Sequence, residues 1–112
     1  MVVATGIVEI HIHESRSLKE KRAVLRKLTK RIQNTFNVSV AEVGSNDHWK
    51  RGIIGFSMVG NEKQFINSKV DKLVGFIESM NVADIVNTHV EIFSMSDETA
   101  GSACSEEAYD EF

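Results

Sequence analysis

Eight cations crowd one short stretch of the 112-residue chain: Arg16, Lys19, Lys21, Arg22, Arg26, Lys27, Lys30 and Arg31. Glu20 is the only acid among them. At the angular spacing of an α-helix, Lys19, Arg22, Arg26 and Lys30 line one flank, with Lys27 beyond them. A row of cations on a rigid rod can follow successive phosphates, and guanidinium groups chelate phosphate oxygens in a bidentate way. Such contacts give salt-dependent affinity with little sequence preference. The structural alternative is a solvated face whose last-turn cations favour the helix dipole. Surface helices usually mix signs for i,i+4 pairing, however, and this segment scarcely does. The pattern points to RNA or the ribosome as partner, with Arg22, Arg26 and Lys30 as the leading contacts.

A second cluster is Asp47-His48-Trp49-Lys50-Arg51. An aromatic ring with two adjacent cations can stack a base and hold its phosphate. Trp49 can equally fold back over the sheet edge with its N–H on a loop carbonyl, and the packing reading is favoured. Asp47 is then expected to organise the turn. The candidate nucleic-acid-binding set is therefore Arg16, Lys19, Arg22, Arg26, Lys30, Trp49, Lys50 and Arg51. A third cluster needs two strands to meet. If the first and last strands are antiparallel neighbours, parity puts Glu9, His11 and His13 on one face with His89 and Glu91. Imidazoles and carboxylates converging there can bind zinc. Cross-strand His–Glu pairing is the simpler reading, and no metal is assigned.

Catalysis finds little footing. The chain has no nucleophile-elbow, P-loop or zinc-hydrolase motif. Arg16 and Ser17 precede a helix N-terminus, which attracts anions. The glycine-rich phosphate cradle of an acylphosphatase is replaced by His13-Glu14-Ser15, and Glu14 repels an anionic substrate. No catalytic residue and no cofactor is assigned.

The elements that must position these groups follow from periodicity. Val2 to His13 alternates, with Val2, Ala4, Gly6, Val8, Ile10 and Ile12 on one face, the mark of a half-buried strand. Ser17-Leu18-Lys19-Glu20 is a capping box, with Glu20 expected to reach back to the Ser17 amide. The helix it opens runs to about Phe36 and buries Leu18, Leu25, Leu28, Ile32 and Phe36. Asn37 to Gly44 alternates again, but Glu42 has the apolar parity, so a bulge or the end of the sheet is expected there. Gly44 to Asp47 has loop composition. Ile53 to Val59 reads as a central strand. Asn61-Glu62-Lys63-Gln64 is a second capping box, opening a helix with Phe65, Ile66, Val70, Leu73, Val74, Ile77 and Met80 inside. Asn81 is a left-handed stop. Ile85 to Met95 is the last strand, with Val86, Val90 and Ile92 inward.

Strand-helix-strand-strand-helix-strand predicts an α+β, ferredoxin-like βαββαβ plait. Its four-stranded antiparallel sheet has the order 4-1-3-2, with both helices on one face. The lack of proline fits four strands that need their amides. RNA-recognition motifs share this plait and stack bases on aromatics of the central strands. Here the outward positions are Ile53, Gly55, Ser57 and Val59, beside Ile7 and His11, while Phe56 has inward parity. The stacking platform is missing, so RNA must meet the helix side. Outward Val3, Ile7, Ile53, Val59 and Phe93 suggest instead that a second subunit covers the sheet face.

Bulk properties bound the rest. The length suits one domain. Cys104 is the only cysteine, so no intrachain disulfide forms, as in a reducing compartment. No signal peptide or membrane span is legible, and the chain is expected to be soluble and cytoplasmic. Residues 1–95 hold all 13 bases against 10 acids, a net charge of +3, whereas the end of the chain carries six acids and no base. The reading is a domain over 1–95 and an acidic, disordered tail over 96–112; a flexible solubility tail is the favoured role, with competition against a polyanion for the basic helix as the alternative.

Arg16-Ser17-Leu18-Lys19-Glu20-Lys21-Arg22, then Phe36-Asn37-Val38-Ser39-Val40-Ala41-Glu42-Val43, then Asp47, Trp49 and Arg51 make a combination that resembles the YlxP-like family of small bacterial proteins. The resemblance covers roughly residues 1 to 93. It implies a ferredoxin-like fold, no settled activity, and genes that often lie beside those of translation initiation and ribosome maturation factors. The expected function is an RNA- or ribosome-associated binding module acting through the basic first helix. The alternative is a protein-interaction module, a homodimer through the open sheet face with no nucleic-acid role.

Overall fold

A computed structural model describes residues 1–44 and 47–96. Ser45 and Asn46 of the expected loop, and the acidic segment from Asp97, lie outside the described residues. The first alternating segment forms β1, Val2–Ile12. After it come α1 (Leu18–Thr35), β2 (Ser39–Glu42), β3 (Arg51–Gly60), α2 (Lys63–Ser79) and β4 (Ala83–Ser94). The sheet runs β2-β3-β1-β4 with every neighbour antiparallel, the ferredoxin-like order expected from the sequence.

The even residues of β1 carry the core. Ala4, Val8, Ile10 and Ile12 are buried against Leu25, Leu28 and Ile32 of α1 and Ile66, Val70, Leu73 and Ile77 of α2. Both helices thus share one face of the sheet, and the odd residues of β1 look out from the other. Phe36 caps α1 and meets Phe76 of α2 edge-on at 5.5 Å between centroids, which ties the two helices together.

Four positions differ from the pattern reading. Leu18 is only half-buried, and the first deep position of α1 is Lys21, 2% exposed. Its ammonium lies 3.7 Å from Glu42 Oε1. Glu42 is the last residue of β2, so the sheet ends where expected. Its inward carboxylate meets a buried cation there, since a charge in the interior is tolerated only when paired. On α2 the N-cap is Glu62 rather than Asn61, with no side-chain hydrogen bond. Ile66 sits over Gly60 and leads the buried stripe. Phe65, one residue off the stripe, is left exposed. On β4 the register shifts between Glu9 and Ile10, whose partners are Asn87 and Ile85. Val86 is the extra residue of this bulge and is 60% exposed, while Ile85 takes the inward place. Asn81 does adopt the left-handed conformation, with φ 56°.

The tightest point of the sheet is Gly6, which is opposite Phe56 on β3. A Cβ there would lie 2.7 Å from Phe56 Cζ and 3.0 Å from the His89 carbonyl oxygen. The Phe56 ring fills the place of the missing side chain. Gly6→Ala is therefore expected to lower stability by roughly 1–3 kcal/mol through overpacking, read from the denaturant midpoint. Adding Phe56→Leu should recover part of the loss. An additive double mutant would show that the ring is not what restricts Gly6.

Candidate nucleic-acid interface

The cations of α1 are positioned by its first turn. Ser17 is the N-cap in extended conformation, and its Oγ accepts from the Glu20 amide at 3.1 Å. Glu20 Oε2 accepts from the Arg16 amide at 2.6 Å, one residue before the Ser17 amide expected from the sequence. The buried Ser15 hydroxyl donates to the Ser17 carbonyl at 3.1 Å and fixes the chain entering the helix. From this anchor, burial of Leu25, Leu28 and Ile32 sets the rotation of α1. It leaves Lys19, Arg22, Arg26, Lys27, Lys30 and Arg31 exposed. Among the described residues no carboxylate forms an ion pair with any of these six. Arg22 and Arg26 border a shallow cavity of about 250 Å³ with Thr29 and Glu42. On a helix, Arg22 and Arg26 stand about 6 Å apart along the axis, suited to neighbouring anionic groups.

The hairpin cluster divides. Trp49 is 45% exposed, so it does not fold away as the favoured packing reading had it. Its ring and Lys50 border a cleft of about 550 Å³ at the start of α1, with Arg16, His13, Glu14 and Glu20 around it. Arg51 pairs opposite His11 and borders the open sheet face near Glu9, Ile53 and Val86. Lys50, the last residue of the turn, thus lines the cleft while Arg51, the first of β3, lines the open face. The turn itself is held by His48, whose Nδ1 accepts from the Lys50 amide at 3.2 Å and whose carbonyl accepts from the Arg51 amide at 3.3 Å. Asp47 does not perform this role.

The His and Glu residues of the open face do not form one site. His89 is opposite Ile7 and Glu91 opposite Thr5, whereas His11 lies beside Asp84, past the bulge. Two separate pairs result: His13 Nε2 with Asp84 Oδ2 at 2.9 Å, and His89 Nε2 with Glu91 Oε1 at 3.6 Å. Among the described residues no group of three His, Cys, Asp or Glu is arranged to hold a metal ion. The outward positions of β3 carry no aromatic, and Phe56 is in the core. The basic flank of α1 and the Trp49 cleft are thus the features that could meet a polyanion on the helix side.

Sheet order, helix placement and strand direction define an α+β protein of ferredoxin-like fold. Within that class the chain belongs to the family described as Protein of unknown function (DUF503), which it matches over residues 3–90. It is 36% identical over 85 residues to the Uncharacterized protein YlxP of Bacillus subtilis (strain 168), covering 76% of this chain and 92% of that one. The structured domain of Drosophila melanogaster Boca has a similar fold, with a TM-score of 0.51 and 12% identity over 82% of this chain and 99% of that one. A dimeric ferredoxin-like protein from an uncultured marine organism matches with a TM-score of 0.45 and 10% identity, over 86% of this chain and 99% of that one. No helix among the described residues is long and apolar enough to cross a membrane.

Trp49 is the sole tryptophan, so its emission reports the cleft directly. Iodide should quench it efficiently in the folded chain. Arg16→Gln with Lys50→Gln should reduce iodide quenching roughly two- to five-fold, the order expected for losing nearby charges in water. Quenching by neutral acrylamide should stay constant. Equal iodide quenching in both proteins would place the cations away from the ring.

Proposed function

We propose that the chain is an RNA-binding module associated with the ribosome, acting through the basic flank of α1. The observation that carries this reading is the exposure of Lys19, Arg22, Arg26, Lys27, Lys30 and Arg31 with no ion-pair partner among the described residues. A helix that serves only as solvated surface gains from mixed charges at i,i+4. Here the one cation that turns inward, Lys21, has a carboxylate partner and the outward ones do not. Backbone phosphates meet Arg22, Arg26 and Lys30 along the rod. The cleft at its start, with Trp49 flanked by Arg16 and Lys50, accommodates an unstacked base. Glu14 and Glu20 on the same cleft oppose a phosphate there, so the cleft takes the base and α1 the backbone.

The competing reading is a module that binds only protein through its open face. What supports it is the apolar row in which half-buried Val3 is flanked by exposed Val59 and Phe93.

Cross-linking and sequencing of RNA bound in cells separates the two, with an Arg22→Glu/Arg26→Glu variant beside the natural chain. Discrete ribosomal RNA sites that vanish in the variant are expected. In vitro, affinity for single-stranded RNA should fall steeply with salt. The variant should flatten the logarithmic slope by at least about 1.4, near 0.7 for each lost phosphate contact. Salt-insensitive binding, or no RNA above background, would overturn the reading.

A further inference from the structure

The two margins of the sheet are unlike. β2 is four residues long, too short to template another strand, whereas β4 runs for twelve residues. β4 has neither lysine nor proline, the residues that commonly blunt an edge. From Asn87 to Ser94 its side chains are exposed or half-buried. The direction of its free hydrogen-bonding groups follows from its partner. Met95 and Met1 exchange both bonds, with the Met95 amide on the Met1 carbonyl at 2.8 Å and the Met1 amino group on the Met95 carbonyl at 3.3 Å. Backbone direction alternates along a strand, so Ser94, Ile92, Val90 and Thr88 aim their amides and carbonyls away from β1, at the open margin.

We propose that β4 is the interface of a homodimer, pairing antiparallel with β4 of a second copy about a two-fold axis at Val90. In that register Val90 faces the partner's Val90, and Thr88 faces the partner's Ile92. Each such pair exchanges two N–H···O=C bonds. The intervening, non-hydrogen-bonded pairs put His89 directly opposite the partner's Glu91, and Glu91 opposite the partner's His89, with Cα atoms about 4.5 Å apart. An imidazole N–H opposite a carboxylate favours pairing, and two carboxylates opposite each other oppose it. A two-fold centred on Ile92 sets Glu91 against the partner's Phe93, and one centred on Thr88 runs into the bulge at Val86. Only the Val90 register matches the backbone hydrogen bonds and sets each imidazole opposite a carboxylate.

The half-buried Val90 and Ile92, on the helix side, gain cover from their counterparts. The open face is a poorer interface, because Thr5, Ser57 and Glu91 interrupt its apolar row. The edge is self-complementary, which is the requirement for an isologous dimer. The inference goes beyond RNA binding and does not depend on it.

The test is the mass of the full chain in solution by sedimentation equilibrium, at low salt and tens of micromolar protein. The natural chain is expected to be dimeric. His89→Glu sets four carboxylates across the seam, and Glu91→Lys sets a cation against each imidazole. Each variant alone should dissociate at least ten-fold more readily. Their equimolar mixture should restore a dimer, because Glu at 89 then faces Lys at 91 and the remaining His89 faces Glu91. Thr88→Pro removes an outward amide on an edge, where proline is tolerated, and should give a folded monomer. A monomeric natural chain, a mixture no better than its parts, or a dimer insensitive to Thr88→Pro would each overturn the proposal; the last would point to the open face.

Discussion

The alternation of β1 is the constraint on which the other elements depend. Side-chain direction and backbone direction both repeat every two residues in a strand. In β1 the even residues therefore bury their side chains under the helices and turn their backbone to β3, as Ile12 does in donating to Lys50 O at 2.7 Å. The odd residues look out of the open face and turn their backbone to β4, as His13 does in donating to Val82 O at 3.3 Å. One period thus serves core, neighbour and solvent at once. A slip of one residue would move Ala4, Val8 and Ile10 into water and both helices off their seat. Gly6 is the point where this strand comes so close to Phe56 that no side chain fits.

What was legible in the sequence is what repeats. The element order, the sheet order, the stripes through Leu25, Leu28 and Ile32 and through Ile66, Val70, Leu73 and Ile77, and the Asn81 stop all follow from local period or local backbone preference. What was not legible depends mostly on a partner distant in sequence. Val86 has the parity of an inward residue until the bulge opposite Glu9 and Ile10 adds one position to β4. α2 starts after Glu62 with no side-chain cap, and its first intrahelical bond runs from the Ile66 amide to the Glu62 carbonyl, which no capping preference encodes. Trp49 has the make-up of a packing residue, yet the hairpin carries it to the start of α1.

Lys21 and Glu42 show the same limit in electrostatic form. Each breaks the pattern of its own element, a cation on an apolar stripe and a carboxylate on an inward parity. Neither is interpretable alone, and they explain each other only once β2 lies under α1. The pairing also separates the cations of α1 into two kinds. Lys21 is part of how the helix sits on the sheet. Arg22, Arg26 and Lys30 are exposed and contribute nothing visible to that seat, which makes their place on one flank a question about what lies outside the chain.

The fold keeps its two outward-looking features apart. α1 packs over β2 and β3, whereas α2 packs over β4, β1 and β3, and only α1 lies against β2. The basic flank therefore stands toward one margin of the sheet and the free hydrogen-bonding edge is the other. A two-fold at β4 is perpendicular to the sheet when equivalent residues face each other, so it keeps all four helices on one side. The two α2 helices would then lie next to the axis and the two α1 helices farther out. A polyanion long enough to reach both basic flanks would find two sites joined by the protein, and the second contact would be intramolecular. Both surfaces rest on one core, because Ala83 of β4 is buried in the same cluster as the Leu25, Leu28 and Ile32 that set the rotation of α1.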